Sequence, residues 1–132
     1  MPITALYAGL LAPLLILLSI RVVRQRRRAK VAVGDGGDVI LLRRIRVHAN
    51  FSEYVPFALL LMALAESLHT WTWFLHLLGL ALVVGRLSHA YGVSQSTETF
   101  FFRVFGMAAT FTVIGAAAAA CVFGSLRPAL GY

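Results

Sequence analysis

Arg46, Asn50, Glu53 and Tyr54 stand at i, i+4, i+7 and i+8 along the chain. In a helix of about 3.6 residues per turn, that spacing projects all of them from one face. Their chemistry is complementary. A guanidinium fork grips a carboxylate in two places, an asparagine amide both donates and accepts, and a glutamate accepts from an ammonium group. Together they suit a small zwitterion carrying carboxylate and amine ends. The other arrangement open to them is internal, with Arg46 and Glu53 paired to each other or across helices so that buried charge is neutralised. Spacing alone does not choose between the two.

The element that carries these residues must enter a membrane. Directly after them the run from Val55 to Ala65 is uncharged, and ionisable groups at hydrocarbon depth are costly and rarely face lipid. The whole chain has the same character: 132 residues, 60% hydrophobic, 13% charged, with a mean hydropathy of +0.84. Soluble domains are about 45–50% apolar and about 25% charged. A spanning helix needs roughly 20 apolar residues, and the runs that qualify predict helices over about 3–22, 39–68, 71–93 and 99–126. The expected fold is therefore a single all-α domain over residues 1–132, an integral membrane four-helix bundle.

Ile3 to Ile20 carries no charge and its basic residues follow it, the reverse of a secretory signal, so it reads as a retained first helix. The connector after it holds Arg21, Arg24, Arg26, Arg27, Arg28 and Lys30, with Arg43, Arg44 and Arg46 on its far side. Arg86 and Arg103 flank the turn between the third and fourth helices, and only Arg127 lies at the opposite end. The excess of positive charge predicts that the first and third connectors face the cytoplasm and both termini lie outside. Trp71 and Trp73 then fall at the outer interface.

A net charge of +7 invites a nucleic-acid partner, but the basic cluster lacks interleaved aromatics and lies between membrane spans. Anionic lipid headgroups are the expected partner, and nucleic acid is not. The Gly-Asp-Gly-Gly connector at residues 34–37 lacks a phosphate-loop pattern and reads as a flexible link. Cys121 reads as a small buried apolar residue. His48, His69, His76 and His89 show no metal spacing; His69, His76 and Glu66 read as solvated interface groups, and no metal is expected. Gly85, Ser88 and Gly92 in the third helix, and Ala116, Ala120 and Gly124 in the fourth, make close-approach surfaces. Pro56 is expected to kink the second helix one turn beyond the polar face.

The order Arg46-x-x-x-Asn50-x-x-Glu53-Tyr54-x-Pro56 at the head of a second membrane helix resembles the MAPEG family, the membrane-associated proteins in eicosanoid and glutathione metabolism. Gly85-Arg86-Leu-x-His89-x-Tyr91-Gly92 and Arg103-x-x-Gly106-Met107-x-x-Thr110 are similar to its bacterial branch, as is the glycine connector. The resemblance implies a homotrimer in a bacterial inner membrane, with glutathione as co-substrate bound between subunits at the cytoplasmic end. Arg46, Asn50, Glu53 and Tyr54 would contact the tripeptide, and Arg26, Arg86, His89 and Tyr91 are further candidates. Arg103 would stabilise the thiolate, because a nearby guanidinium lowers a thiol pKa. The second substrate would be a small lipophilic electrophile taken from the bilayer, as in a glutathione transferase or peroxidase. Where eukaryotic members carry tyrosines after the third helix, this chain has His89 and Val93. The competing classes are a small four-helix transporter, whose first-helix acid is missing here, and a non-catalytic membrane scaffold.

Overall fold

Each apolar run folds as a helix in the computed structural model, which describes residues 1–95 and 100–126. The helices are α1 (Pro2–Ala29), α2 (Val39–Ser67), α3 (Thr72–Ser94) and α4 (Phe100–Leu126). All four are long and apolar enough to cross a membrane, and the chain is an integral membrane protein. Arg127 lies outside the described residues.

α1 outlasts its apolar run by about two turns. The basic residues from Arg21 to Arg28 continue the helix instead of opening a loop. Arginine is a good helix former, and cations complement the negative end of the helix dipole. The helix stops at Lys30, which takes a left-handed conformation at φ 55°. The link from there to Asp38 is a folded turn, not a loose one. Arg26 Nη1 donates to the carbonyls of Gly34 at 2.7 Å and Ala32 at 3.4 Å, and the Asp38 amide donates to Asp35 at 2.9 Å. Gly36 sits at φ 58°, where a Cβ would collide with Val31 Cγ2 at 2.5 Å. Glycine is required there on both counts.

Asp38 then starts α2 as its cap. Its Oδ1 accepts from the Ile40 amide at 2.8 Å and the Leu41 amide at 3.1 Å, and Oδ2 accepts from Gln25 Nε2 at 2.8 Å. α2 runs unbroken through Pro56 to Ser67. Its exit is a Schellman turn: the Thr70 amide donates to Ala65 and the His69 amide to Glu66, with His69 left-handed at φ 60°.

α2 and α3 are the central pair. α1 packs on both from one side and α4 packs on both from the other, while α1 and α4 do not touch. The core they enclose is built by Leu11, Leu18, Val47, Phe51, Val55, Met62, Leu82 and Val113. Large apolar side chains cover the outside as well, among them Leu10, Ile16, Leu80 and Phe101, as a helix surrounded by lipid requires.

Polar contacts tie the end opposite the glycine connector. Glu66 accepts from the first amides of α1, Ile3 at 3.0 Å and Thr4 at 2.9 Å, so it caps a neighbouring helix instead of simply facing solvent. The Tyr7 hydroxyl lies 3.1 Å from His76 Nδ1 and donates to the His76 carbonyl at 3.0 Å. Trp71 and Trp73 stack, exposed, at the same end.

α3 and α4 approach most closely where side chains vanish. A Cβ on Gly106 would lie 2.5 Å from the Gly85 carbonyl oxygen and 2.6 Å from His89 Cβ. In α4 the predicted small-residue stripe turns elsewhere: Gly124 meets Leu68, while Ala116 and Ala120 line an apolar cleft with Trp71, Trp73 and Phe74.

Candidate functional site

At about 100° per residue the polar residues of α2 spread across a sector, not a line. Glu53 and Arg46 sit at its outer edge, Asn50 lies further in, and Tyr54 borders the buried flank of Val47, Phe51 and Val55. Exposure follows that order: Arg46 and Glu53 are exposed, while Asn50 and Tyr54 are half-buried. One helix face thus carries a gradient from solvent to core.

Asn50 meets α3. Its Oδ1 accepts from Arg86 Nη2 at 2.7 Å. Arg86 is 1% exposed and among the largest fully buried side chains. Its Nη1 reaches Thr110 Oγ1 at 3.4 Å and Met107 Sδ at 3.8 Å, both on α4. The Thr110 hydroxyl proton is spent on the Gly106 carbonyl at 2.8 Å, which leaves its oxygen lone pairs for Arg86. The Phe51 ring lies 5.8 Å from the guanidinium carbon, a contact in which the ring face favours a cation. Among the described residues no carboxylate pairs with Arg86, and its Nε has no partner. A buried cation is therefore held by dipoles and a ring face, with no carboxylate among the described residues to neutralise it.

His89 lies one turn from Arg86, 4% exposed, with Nδ1 unpartnered among the described residues. The charges of Arg86 and Arg103 both act on it. Arg103, Met107 and Thr110 stand at i, i+4 and i+7 on α4, so Arg103 belongs to the same face as the Arg86 partners, one turn before Met107 and two before Thr110. Its backbone packs on Gly92, where a Cβ would lie 2.9 Å from the Arg103 nitrogen. Tyr54 makes an edge contact with Phe111, centroids 5.3 Å apart. Residues of α2, α3 and α4 thereby converge at the half of the bundle nearer the glycine connector.

Two sequence candidates stand apart within the chain. Arg26 latches the connector, as described above. Tyr91 lies about 140° round α3 from Arg86, exposed and packed edge-on to Phe102 at 5.3 Å. Conversely, Phe51, Met107 and Thr110 serve Arg86 without having been singled out as site residues. The signal for the α4 pair was the i+4 and i+7 spacing from Arg103.

Arg46 and Glu53 do not pair. They are seven residues apart, about 10 Å along the axis, and neither has a partner among the described residues. The one ion pair among the described residues joins the Met1 amino group to Glu66 at 3.9 Å. No group of His, Cys, Asp and Glu among the described residues is placed to hold a metal.

The fold is that of an α-helical integral membrane bundle, with a buried arginine beneath an outward-facing polar sector. The chain belongs to the MAPEG family, whose sequence model matches residues 4–123. It is 43% identical over 112 residues to inner membrane protein YecN of Escherichia coli K12, covering 85% of this chain and 84% of that one. The same protein from E. coli O6:H1 matches equally. No solved structure gives a significant match.

Proposed function

We propose that the protein binds glutathione between neighbouring subunits of a homotrimer and directs its thiolate at a lipophilic electrophile. The observation that carries this reading is the state of Arg46 and Glu53. Both are exposed and, among the described residues, unpartnered, at the rim of the Asn50–Arg86 pair. A scaffold that used these charges only to neutralise one another would bring them together, and this chain holds them apart. As a ligand site the sector is well supplied. Arg46 offers a fork for a carboxylate and Glu53 an acceptor for the ammonium. Asn50, whose oxygen is committed to Arg86, keeps its amide hydrogens to donate. Arg103 stabilises the sulfur as thiolate, the nucleophile that forms the new bond to the electrophile. The apolar substrate arrives from the surrounding bilayer.

In this reading the protein resides in a bacterial inner membrane, as its YecN relatives do by name. Both termini face outward and the site opens to the cytoplasm, the side on which the arginines of α1 and α2 belong.

The test is thermal unfolding of the detergent-solubilised protein with millimolar glutathione. A ligand that binds only the folded state raises the midpoint, and Arg46→Ala should abolish that rise. An unshifted wild type that remains folded would overturn the glutathione reading. Arg103→Ala should depress thiol conjugation to an aryl halide while keeping the thermal shift; equal loss of both would remove Arg103 from the chemistry.

A further inference from the structure

A second opening lies between the end of α1, the start of α2 and the end of α3. It is a cleft of about 410 Å³, separate from the sector that holds Arg46 and Glu53. Its lining is of two kinds. Leu18, Val47 and Val93 are buried and form an apolar floor, with Val39 and Ile40 exposed at the rim. Arg21, Arg43 and Arg44 supply the charge.

Hydrogen bonds to neighbouring helices fix these guanidiniums. Arg21 Nη1 donates to Ser94 Oγ at 2.9 Å, Arg44 Nη1 to the Arg21 carbonyl at 3.2 Å, and Arg43 Nη1 to the Gln95 carbonyl at 2.8 Å. A guanidinium has five N–H donors. Arg21 and Arg44 each spend a single one on the described residues, so most of their donors stay available. Arg21 and Arg28 both repel Arg44, and among the described residues the one carboxylate that acts on it is Asp38, whose oxygens already serve the α2 amides and Gln25. Positive charge is concentrated here beside an apolar trough, at the level where helices leave the hydrocarbon.

We propose that this cleft is a binding site for an anionic phospholipid, its phosphodiester held between Arg21 and Arg44 and an acyl chain lying along Leu18, Val47 and Val93. The pairing follows from the lining. A bidentate guanidinium matches a phosphate, and an anionic headgroup relieves the repulsion that a zwitterionic one would renew with its own cation. A free phosphate has no use for the apolar floor. The proposal is independent of the glutathione site.

Native mass spectrometry of the purified protein, with parallel thermal unfolding, tests it in micelles doped with dioleoylphosphatidylglycerol, dioleoylphosphatidylcholine or inorganic phosphate. Phosphatidylglycerol should be retained and should raise the unfolding midpoint, while the other two do neither. Arg21→Gln and Arg44→Gln should each weaken retention about tenfold, close to 1.4 kcal/mol. Arg24→Gln, an exposed charge of the same cluster outside the cleft, should leave it unchanged. Should either cleft variant fail to fold, Val39→Glu places an acid on the exposed rim in the first turn of α2, where the helix dipole favours it, and should also expel the lipid. Equal retention of phosphatidylcholine, equal stabilisation by phosphate, an equal loss in Arg24→Gln, or full retention in folded Val39→Glu would each overturn the proposal.

Discussion

Arg86 is the residue on which the centre of the bundle depends. Its charge is surrounded by neutral acceptors, and the shortest bond, to Asn50, carries most of the compensation. Removing that acceptor strands a buried cation. Hydrogen bonds to charged groups are worth about 1.5–3 kcal/mol, so Asn50→Ala should destabilise by about that much in denaturant titrations. Arg86→Met in an Asn50→Leu background should cost far less than Asn50→Leu alone, because the charge leaves with its partner. A strictly additive double-mutant cycle would show that the two side chains do not act together.

Two elements make sharper demands than their sequences suggest. Where α3 crosses α4, Gly106 faces backbone, not a yielding side chain. Gly106→Ala must push the helices apart, at about 1–3 kcal/mol, and thermal unfolding should report it. Gly9→Ala, with nothing within 4 Å of its added carbon, should instead gain up to about 1 kcal/mol. At the head of α2 the Gln25 bond, then the Leu41 and Ile40 amides and the Arg44 charge, hold the Asp38 carboxyl below its ordinary range. A carboxyl held low contributes stability that is complete above the ordinary range and lost as pH falls through the lowered value. The unfolding midpoint should therefore drop on acidification through that window. Asp38→Asn, which keeps a cap but not the charge, should flatten part of the drop.

At the scale of the molecule, α2 and α3 form the middle and α1 and α4 the flanks. The described arginines are gathered at one end and the tryptophans at the other, which predicts the orientation. With Cys121 replaced by alanine, a cysteine at Lys30 should react with an impermeant maleimide only from the cytoplasmic side, and one at His69 only from the outside. Labelling from the reverse sides would invert the topology.

The spans and the polar sector of α2 were legible in sequence because both depend on period and hydropathy along one chain segment. The extension of α1 was not, since a run of arginines suits a helix end as well as a loop, and only the cap at Lys30 decides. The Asn50–Arg86–Thr110 contact was hidden for a different reason. It depends on how three helices are rotated about their own axes, and for α3 against α4 that rests on the close approach of Gly85 and Gly106.

The bond from Glu66 back to the start of α1 has a bearing on how the protein is made. Sixty-three residues separate Ile3 from Glu66, and the acceptor for the leading amides of α1 emerges only in the final turn of α2. Until then only water can serve the leading amides of the first span. The protein's own cap is therefore a property of the α1–α2 hairpin, whose second arm delivers a carboxylate to the tip of the first.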